Sequence, residues 1–238
     1  MGKLKILAIA DIHYIGVAKH TSRDPERECK IAHQLVERVL EKAKALDIDL
    51  LLVLGDIVDN GHAEGVYEDM LTIKNVIDKS GIPTIAIAGN HEHDPELFSQ
   101  IFNCHEGLHQ LKDYQIITFM DSYEYRGFRN FEKMDTYFTQ ADSTKPIIVL
   151  QHPVIYPPID HSYPYNITDA DKIADYYSKK NVLLSISGHY HAGVESLTKD
   201  GVTYITCATL CEPPFIFTVI TLDGNTIDYK QYGLDQLP

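Results

Sequence analysis

Only four cysteines, Cys29, Cys104, Cys207 and Cys211, occur in 238 residues. That is too few for a disulfide scaffold, and no second pair stands at structural-zinc spacing, so all four read as reduced thiols. Basic residues are also scarce: 21 Lys and Arg face 34 Asp and Glu, a formal charge of −13. So acidic a surface repels phosphate backbones and anionic lipid, which argues against a nucleic-acid polymer or a membrane as partner. Long apolar runs are missing too. No segment approaches the ~20 residues that span a bilayer, and Ile6–Ala10 is too short for a signal-peptide core and ends at Asp11. A cytoplasmic location is the expectation. No repeat, low-complexity stretch or linker breaks the chain, so residues 1–238 read as one domain. An anionic ligand needs local positive charge here, and metal ions can supply it.

What the sequence has in quantity is apolar residues, 44% of the chain, enough for a large core. Runs at Leu4–Ala10, Asp49–Leu54, Thr84–Ala88, Ile147–Leu150 and Val182–Ile186 suit strands buried on both faces. Helical patterns lie between them. Ile31, Leu35, Val39, Ala43 and Leu46 form one stripe, with Asp24 as expected cap and Pro25 in the first position. Tyr67 to Ile77 suggests a second helix, and Asp94-Pro95 opens a third, short one. Thr168 and Asp171 resemble a capping box ahead of Ile173–Tyr177. Beyond Ala192 the segments Val194–Leu197, Val202–Cys207, Phe215–Leu222 and Thr226–Gln231 read as antiparallel hairpins. The expected fold is α/β, with two packed mixed sheets flanked by helices.

The chemistry sits where the five buried strands end. Asp11 and His13 follow the first. Gly55, Asp56 and Asp59 follow the second, and Gly89, Asn90, His91 and Glu92 the third. Gln151 and His152 come next, and Gly188, His189 and His191 last. Ligands of open α/β sheets bind beyond the carboxyl ends of strands, so the five clusters should converge on one crevice. Asp11, His13, Asp56, Asn90, His152, His189 and His191 offer oxygen and imidazole donors without thiolate, a set suited to Mn, Fe, Co or Zn. Seven ligands exceed the needs of one ion, and two ions with a bridging carboxylate explain the number better.

Taken in order, Asp11-x-His13, Gly55-Asp56-x-x-Asp59, Gly89-Asn90-His91-Glu92, His152 and Gly188-His189-x-His191 resemble the calcineurin-like metallophosphoesterase family, over roughly residues 4 to 192. The resemblance implies a four-layer α/β/β/α sandwich, with the C-terminal strands in its second sheet. It also implies a ligand distribution: Asp11, His13 and His191 on a first divalent transition-metal ion, Asn90, His152 and His189 on a second, and Asp56 bridging both. Mn is expected first, with Fe, Zn or Co as alternatives. His91 is expected to act as general acid on the leaving group, with Asp59 orienting it, while hydroxide between the metals attacks phosphorus. Glu92 is expected either to support the site or to face solvent.

Departures from subfamilies of that family narrow the substrate. Asn60 stands where its protein Ser/Thr phosphatases carry an arginine, and no tyrosine occupies Val58 or Asp59, where purple acid phosphatases place a ligand. The expected activity is hydrolysis of a phosphodiester of a small nucleotide-like molecule. A small-molecule phosphomonoesterase and a non-catalytic scaffold of the same fold are the alternatives, and the oligomeric state stays open. The Tyr/Pro-rich segment 153–165 offers Tyr156, His161, Tyr163 and Tyr165 for contact with a flat substrate group. Arg126 and Arg129 are candidates for a substrate phosphate.

Overall fold

The computed structural model describes residues 2–120 and 128–236. Two mixed sheets face each other. The first has the order β11-β10-β1-β2-β3 and the second β4-β5-β6-β7-β9-β8. The first sheet contains β1 (Leu4–Ile9), β2 (Leu50–Leu54), β3 (Thr84–Ile87), β10 (Ile216–Asp223) and β11 (Thr226–Gly233). The second contains β4 (Gly107–Leu111), β5 (Tyr114–Thr118), β6 (Ile147–Leu150), β7 (Val182–Ser187), β8 (Val194–Lys199) and β9 (Val202–Thr206).

Alternation along each strand builds the layers, because successive side chains leave opposite faces. Ile6, Ala8, Leu50, Leu52 and Leu54 point inward and meet Ile116, Ile148, Leu150, Leu184 and Ile186 of the other sheet. Leu7, Ile9, Leu51 and Val53 point outward onto α1 (Ala32–Ala43), α2 (Val66–Lys79) and α3 (Pro95–Phe102). On the far side Ile117, Ile147 and Val149 pack against α4 (Phe131–Gln140) and α5 (Ala170–Ser178). The molecule is therefore the expected helix–sheet–sheet–helix stack. Within the first sheet β1, β2 and β3 are mutually parallel, and within the second β6 and β7 are parallel, so their carboxyl ends collect on common edges.

Several expectations need correction. Asp24 does not cap α1. Its carboxylate accepts from Glu26 N in a local turn, and the helix starts eight residues later through a 3₁₀ turn at Cys29–Ile31. Thr168 and Asp171 form no capping box, since α5 begins after Asp169 without a side-chain cap. Only β8 and β9 of the late strands join the second sheet; β10 and β11 return to the first, with β10 antiparallel to β1. The β4–β5 hairpin and α4 were not anticipated. Polar Gln110 and Gln115 interrupt the apolar pattern of the hairpin, but buried Gln115 satisfies its amide on Asp142 backbone. The Asp94 cap with Pro95 at the first position is present, accepting from Leu97 N at 2.9 Å. No helix among the described residues is long and apolar enough to cross a membrane.

Candidate metal centre

The loops after β1, β2 and β3 are laced into one another before any side chain is considered. Asp11 N donates to Gly55 O, His13 N to Asp56 O and Gly61 N to His91 O. Glu92 ties the second and third loops, its buried carboxylate accepting from the backbone of Asp56, Ile57, Val58 and Gly89. Burial, followed by the charge of Asp56, pushes this carboxyl up to about 7. Glu92 is thus a buried support and does not face solvent. Gly55 has φ +90°, and a Cβ there would lie 2.5 Å from His152 Nδ1 and 2.8 Å from the Gly89 backbone. Only glycine lets the two sheets approach this closely. Asp11, His13, Asp56 and His189 also sit at positive φ, between 48° and 67°. Non-glycine residues held in that region cost of order 1–3 kcal/mol each and cluster at functional sites.

Six of the seven expected ligands, all but Asn90, are linked by close side-chain distances. Asp56 Oδ2 lies 3.1 Å from His152 Nε2 and 3.7 Å from His13 Nε2, and Asp11 Oδ1 lies 3.5 Å from His191 Nε2. Asp56, His152 and His189 each offer a donor within 4.8 Å of the others. His13 Nε2 and His191 Nε2 face each other at 3.2 Å, an arrangement that needs a proton or a cation between them. Asn90 Oδ1 is buried without a hydrogen-bond partner, and Asp11 Oδ1 and His152 Nε2 are buried with only one another and neighbouring carboxylate or imidazole groups beside them. Buried polar atoms are rarely left so unless an ion or water completes them. Borderline divalent cations suit this oxygen and imidazole set, so the residues fit a metal centre.

His13, His152 and His191 are anchored through Nδ1, which turns Nε2 of each toward the other site groups. His191 Nδ1 meets Glu212 Oε1 at 2.5 Å and His13 Nδ1 lies 3.2 Å from Asp59 Oδ1. His152 Nδ1 donates to Leu54 O at 2.6 Å, and His189 donates to the Pro164 carbonyl. Such partners fix the tautomer and ring orientation of a metal-binding imidazole. Burial lowers His13 to about 4 and, with the neighbouring His152 charge, His189 to about 4. Burial also opposes charge on His152 and His191, but Asp56 and Asp11 outweigh it for His152, held up at about 9, and Asp11 with Glu212 for His191, at about 10.

His91 lies at the rim, 4.0 Å from Asp56 Oδ2 and 4.6 Å ring to ring from His13. It is anchored through Nδ1 by the backbone carbonyl of Asp59 at 2.5 Å, whereas the carboxylate was the expected contact. The Asp59 carboxylate turns instead to His13, Arg27 and His20. His91, His13 and Asp56 also offer donors within 4.8 Å of one another, as do His13, His191 and Cys211.

The Tyr/Pro segment divides. His161, Tyr163 and Tyr165 gather beside His189, with Tyr163 and Tyr165 ring centroids 5.6 and 5.5 Å from it. Tyr190, which sequence reasoning passed over, completes the cluster at 4.8 Å from Tyr165 and 5.9 Å from His161. Tyr156 does not take part. It packs on Tyr204 at 5.3 Å under Lys199, on the outer face of the second sheet. Arg129 is likewise no phosphate contact, being buried 3.6 Å over the Phe119 ring and donating to Tyr177 Oη. Arg126 lies outside the described residues. Arg27, His20 and Glu212 were also passed over, since each stands alone in the sequence without a motif around it.

A family model described as calcineurin-like phosphoesterase matches residues 4–193. A probable cyclic nucleotide phosphodiesterase from Synechococcus sp. is 26% identical over 201 residues, covering 79% of this chain and 73% of its own. Another from Ruthia magnifica is 24% identical over 185 residues, covering 74% and 75%. Among solved structures, a dimetal phosphatase from Danio rerio superposes with a TM-score of 0.77 at 16% identity, covering 97% of this chain and 96% of that one. A purple acid phosphatase from yellow lupin gives 0.68 at 13%, covering all of this chain and 52% of that one.

Because His152 and His191 hold protons at neutral pH in the metal-free chain, a cation must displace them. Mn binding should therefore release protons. Its affinity should rise with pH from 6 toward 9, by about tenfold per unit for each proton displaced. Calorimetric titration in buffers of different ionisation enthalpy measures the release; a pH-independent affinity would contradict it.

Proposed function

Because this chain belongs to the calcineurin-like phosphoesterase family, we propose that it is a hydrolase of small phosphodiesters that works with two divalent transition-metal ions, Mn foremost and Fe, Zn or Co as alternatives. The observation that carries the reading is the convergence of Asp11, His13, Asp56, His152, His189 and His191, with Asn90 Oδ1 buried and unpartnered, beside a half-exposed His91. Asp11, His13 and His191 would hold one cation, Asn90, His152 and His189 the other, and Asp56 both. Bound there, the cations supply Lewis-acid stabilisation of phosphoryl charge and a nucleophile at neutral pH.

The chain's own residues do the rest. The Asp59 carbonyl accepts the His91 Nδ1 proton, so in the imidazolium form the second proton, on Nε2, is the one that would pass to the departing alkoxide. Glu92 holds the loops of Asp56 and His91 in register through backbone N–H groups alone, so it positions two elements without offering a ligand atom. The aromatic cluster of His161, Tyr163, Tyr165 and Tyr190 borders one cation position and suits a flat group such as a nucleobase. That fits the two bacterial relatives named as probable cyclic nucleotide phosphodiesterases. We take the substrate to be nucleotide-like and the location to be the cytoplasm.

Three outcomes test this. With Mn added, bis(p-nitrophenyl) phosphate should turn over faster than p-nitrophenyl phosphate; the reverse order favours the phosphomonoesterase. His91→Asn should cut turnover by about 10² or more while bound metal stays constant. Parallel loss of metal would make His91 a ligand, and unchanged turnover would remove it from the mechanism. Tyr165→Ala should raise KM for a nucleoside phosphodiester about tenfold, at the low end of a stacking contact. An unchanged KM would place the base elsewhere.

A further inference from the structure

Arg27 reaches the site from the irregular segment ahead of α1. One guanidinium hydrogen-bonds one of the two carboxylates that orient imidazoles of the first cation position and lies at ion-pair distance from the other. Its Nη1 donates to Asp59 Oδ1 at 3.0 Å, and the same oxygen lies 3.2 Å from His13 Nδ1. Its Nε lies 3.6 Å from Glu212 Oε1, and that oxygen meets His191 Nδ1. Asp59 Oδ1 is thus shared between Arg27 and His13, while Glu212 Oε1 is bonded to His191 with the Arg27 charge beside it. His20 Nε2 holds the other Asp59 oxygen at 2.8 Å. The backbone reinforces the arrangement, since Glu28 N donates to Cys211 O at 2.8 Å and so fixes the Arg27 segment beside Glu212.

The second position is built differently. His152 is oriented by the Leu54 carbonyl and His189 by that of Pro164, neither of which depends on Arg27. We propose, resting on the two-cation reading above, that Arg27 is a positioning residue for one cation only, the one held by His13 and His191. A planar fork can hold two carboxylates at once, which a lysine ammonium does less well. Carboxylates behind imidazole ligands aim the ring and raise its basicity, and losing such a partner typically costs 10–100-fold in metal affinity.

The test is calorimetric titration of Mn into the metal-free full chain. Wild type should bind two equivalents. Arg27→Met should raise one dissociation constant by about 10–100-fold and leave the other within about twofold. Arg27→Lys should fall between, and Glu212→Gln should weaken the same equivalent, with Arg27→Met adding little to it. His189→Ala should keep one equivalent, on which Arg27→Met acts in full. If Arg27→Met does not fold, Arg27→Lys and Glu212→Gln carry the comparison. Equal weakening of both equivalents, or none, overturns the inference while leaving two cations in place. Fewer than two equivalents in wild type overturns the two-cation reading itself.

Discussion

Asp11 and Asp56 are carboxylates buried at the ends of adjacent parallel strands, and negative charge so far from water is costly unless something positive stands beside it. In the metal-free chain that role falls to histidines. His152 reaches toward both carboxylates and His191 toward Asp11, and their protonation holds both acids below the usual carboxylate range despite burial. The arrangement is a set of charges waiting to be exchanged: protons for cations. Much of the surrounding structure can be read as what it takes to hold the two acids there, including the left-handed backbone at Asp11 and Asp56, the glycine at 55 and the buried brace of Glu92.

The acidic surface and the site oppose each other. A chain of formal charge −13 does not attract a phosphate at long range. Two dications against Asp11 and Asp56 alone would leave an excess of about two positive charges. The structure revises that count, because Asp59 and Glu212 stand behind the ligands and Arg27 between them. Counting all four acids and the arginine reduces the excess to about one, still positive, and placed where a phosphoryl group would sit. With the two proposed dications bound, such a field would draw a phosphoryl group into the crevice that the surrounding surface repels.

The fold and the gathering of the strand-end side chains were legible because their signals are strong and local. Leu50–Leu54 and Ile147–Leu150 are unbroken apolar runs, each followed by polar residues whose only common location is a strand end. The supports were not legible. Glu212 lies 21 positions after His191, the ring it orients, and Arg27 lies 32 before the Asp59 carboxylate it holds, so no spacing betrays either pair. Asp59 shows the limit at finer scale. It stands beside His91 as expected, but only the structure shows that its carbonyl meets His91 and its carboxylate meets His13, since sequence carries no information about which oxygen faces which ring. Tyr156 and Tyr165 look equivalent in the same segment, yet one packs outward on Tyr204 and the other beside His189.

The return of the chain from the second sheet to the first connects these points. Between β9 and β10 the backbone passes beneath the centre, where Leu210 N donates to Ala10 O and Thr209 Oγ1 to Asp11 O. Those bonds secure the unusual backbone at Asp11 from below and set Glu212 against His191. The crossover that closes the first sheet, by placing β10 against β1, is therefore the same segment that braces Asp11 and His191. A two-sheet architecture whose last strands stayed in the second sheet would lack both. Fold closure and ligand orientation are accomplished here by one short stretch of chain beyond the matched residues 4–193, with its effect carried inward by Arg27 and Glu212.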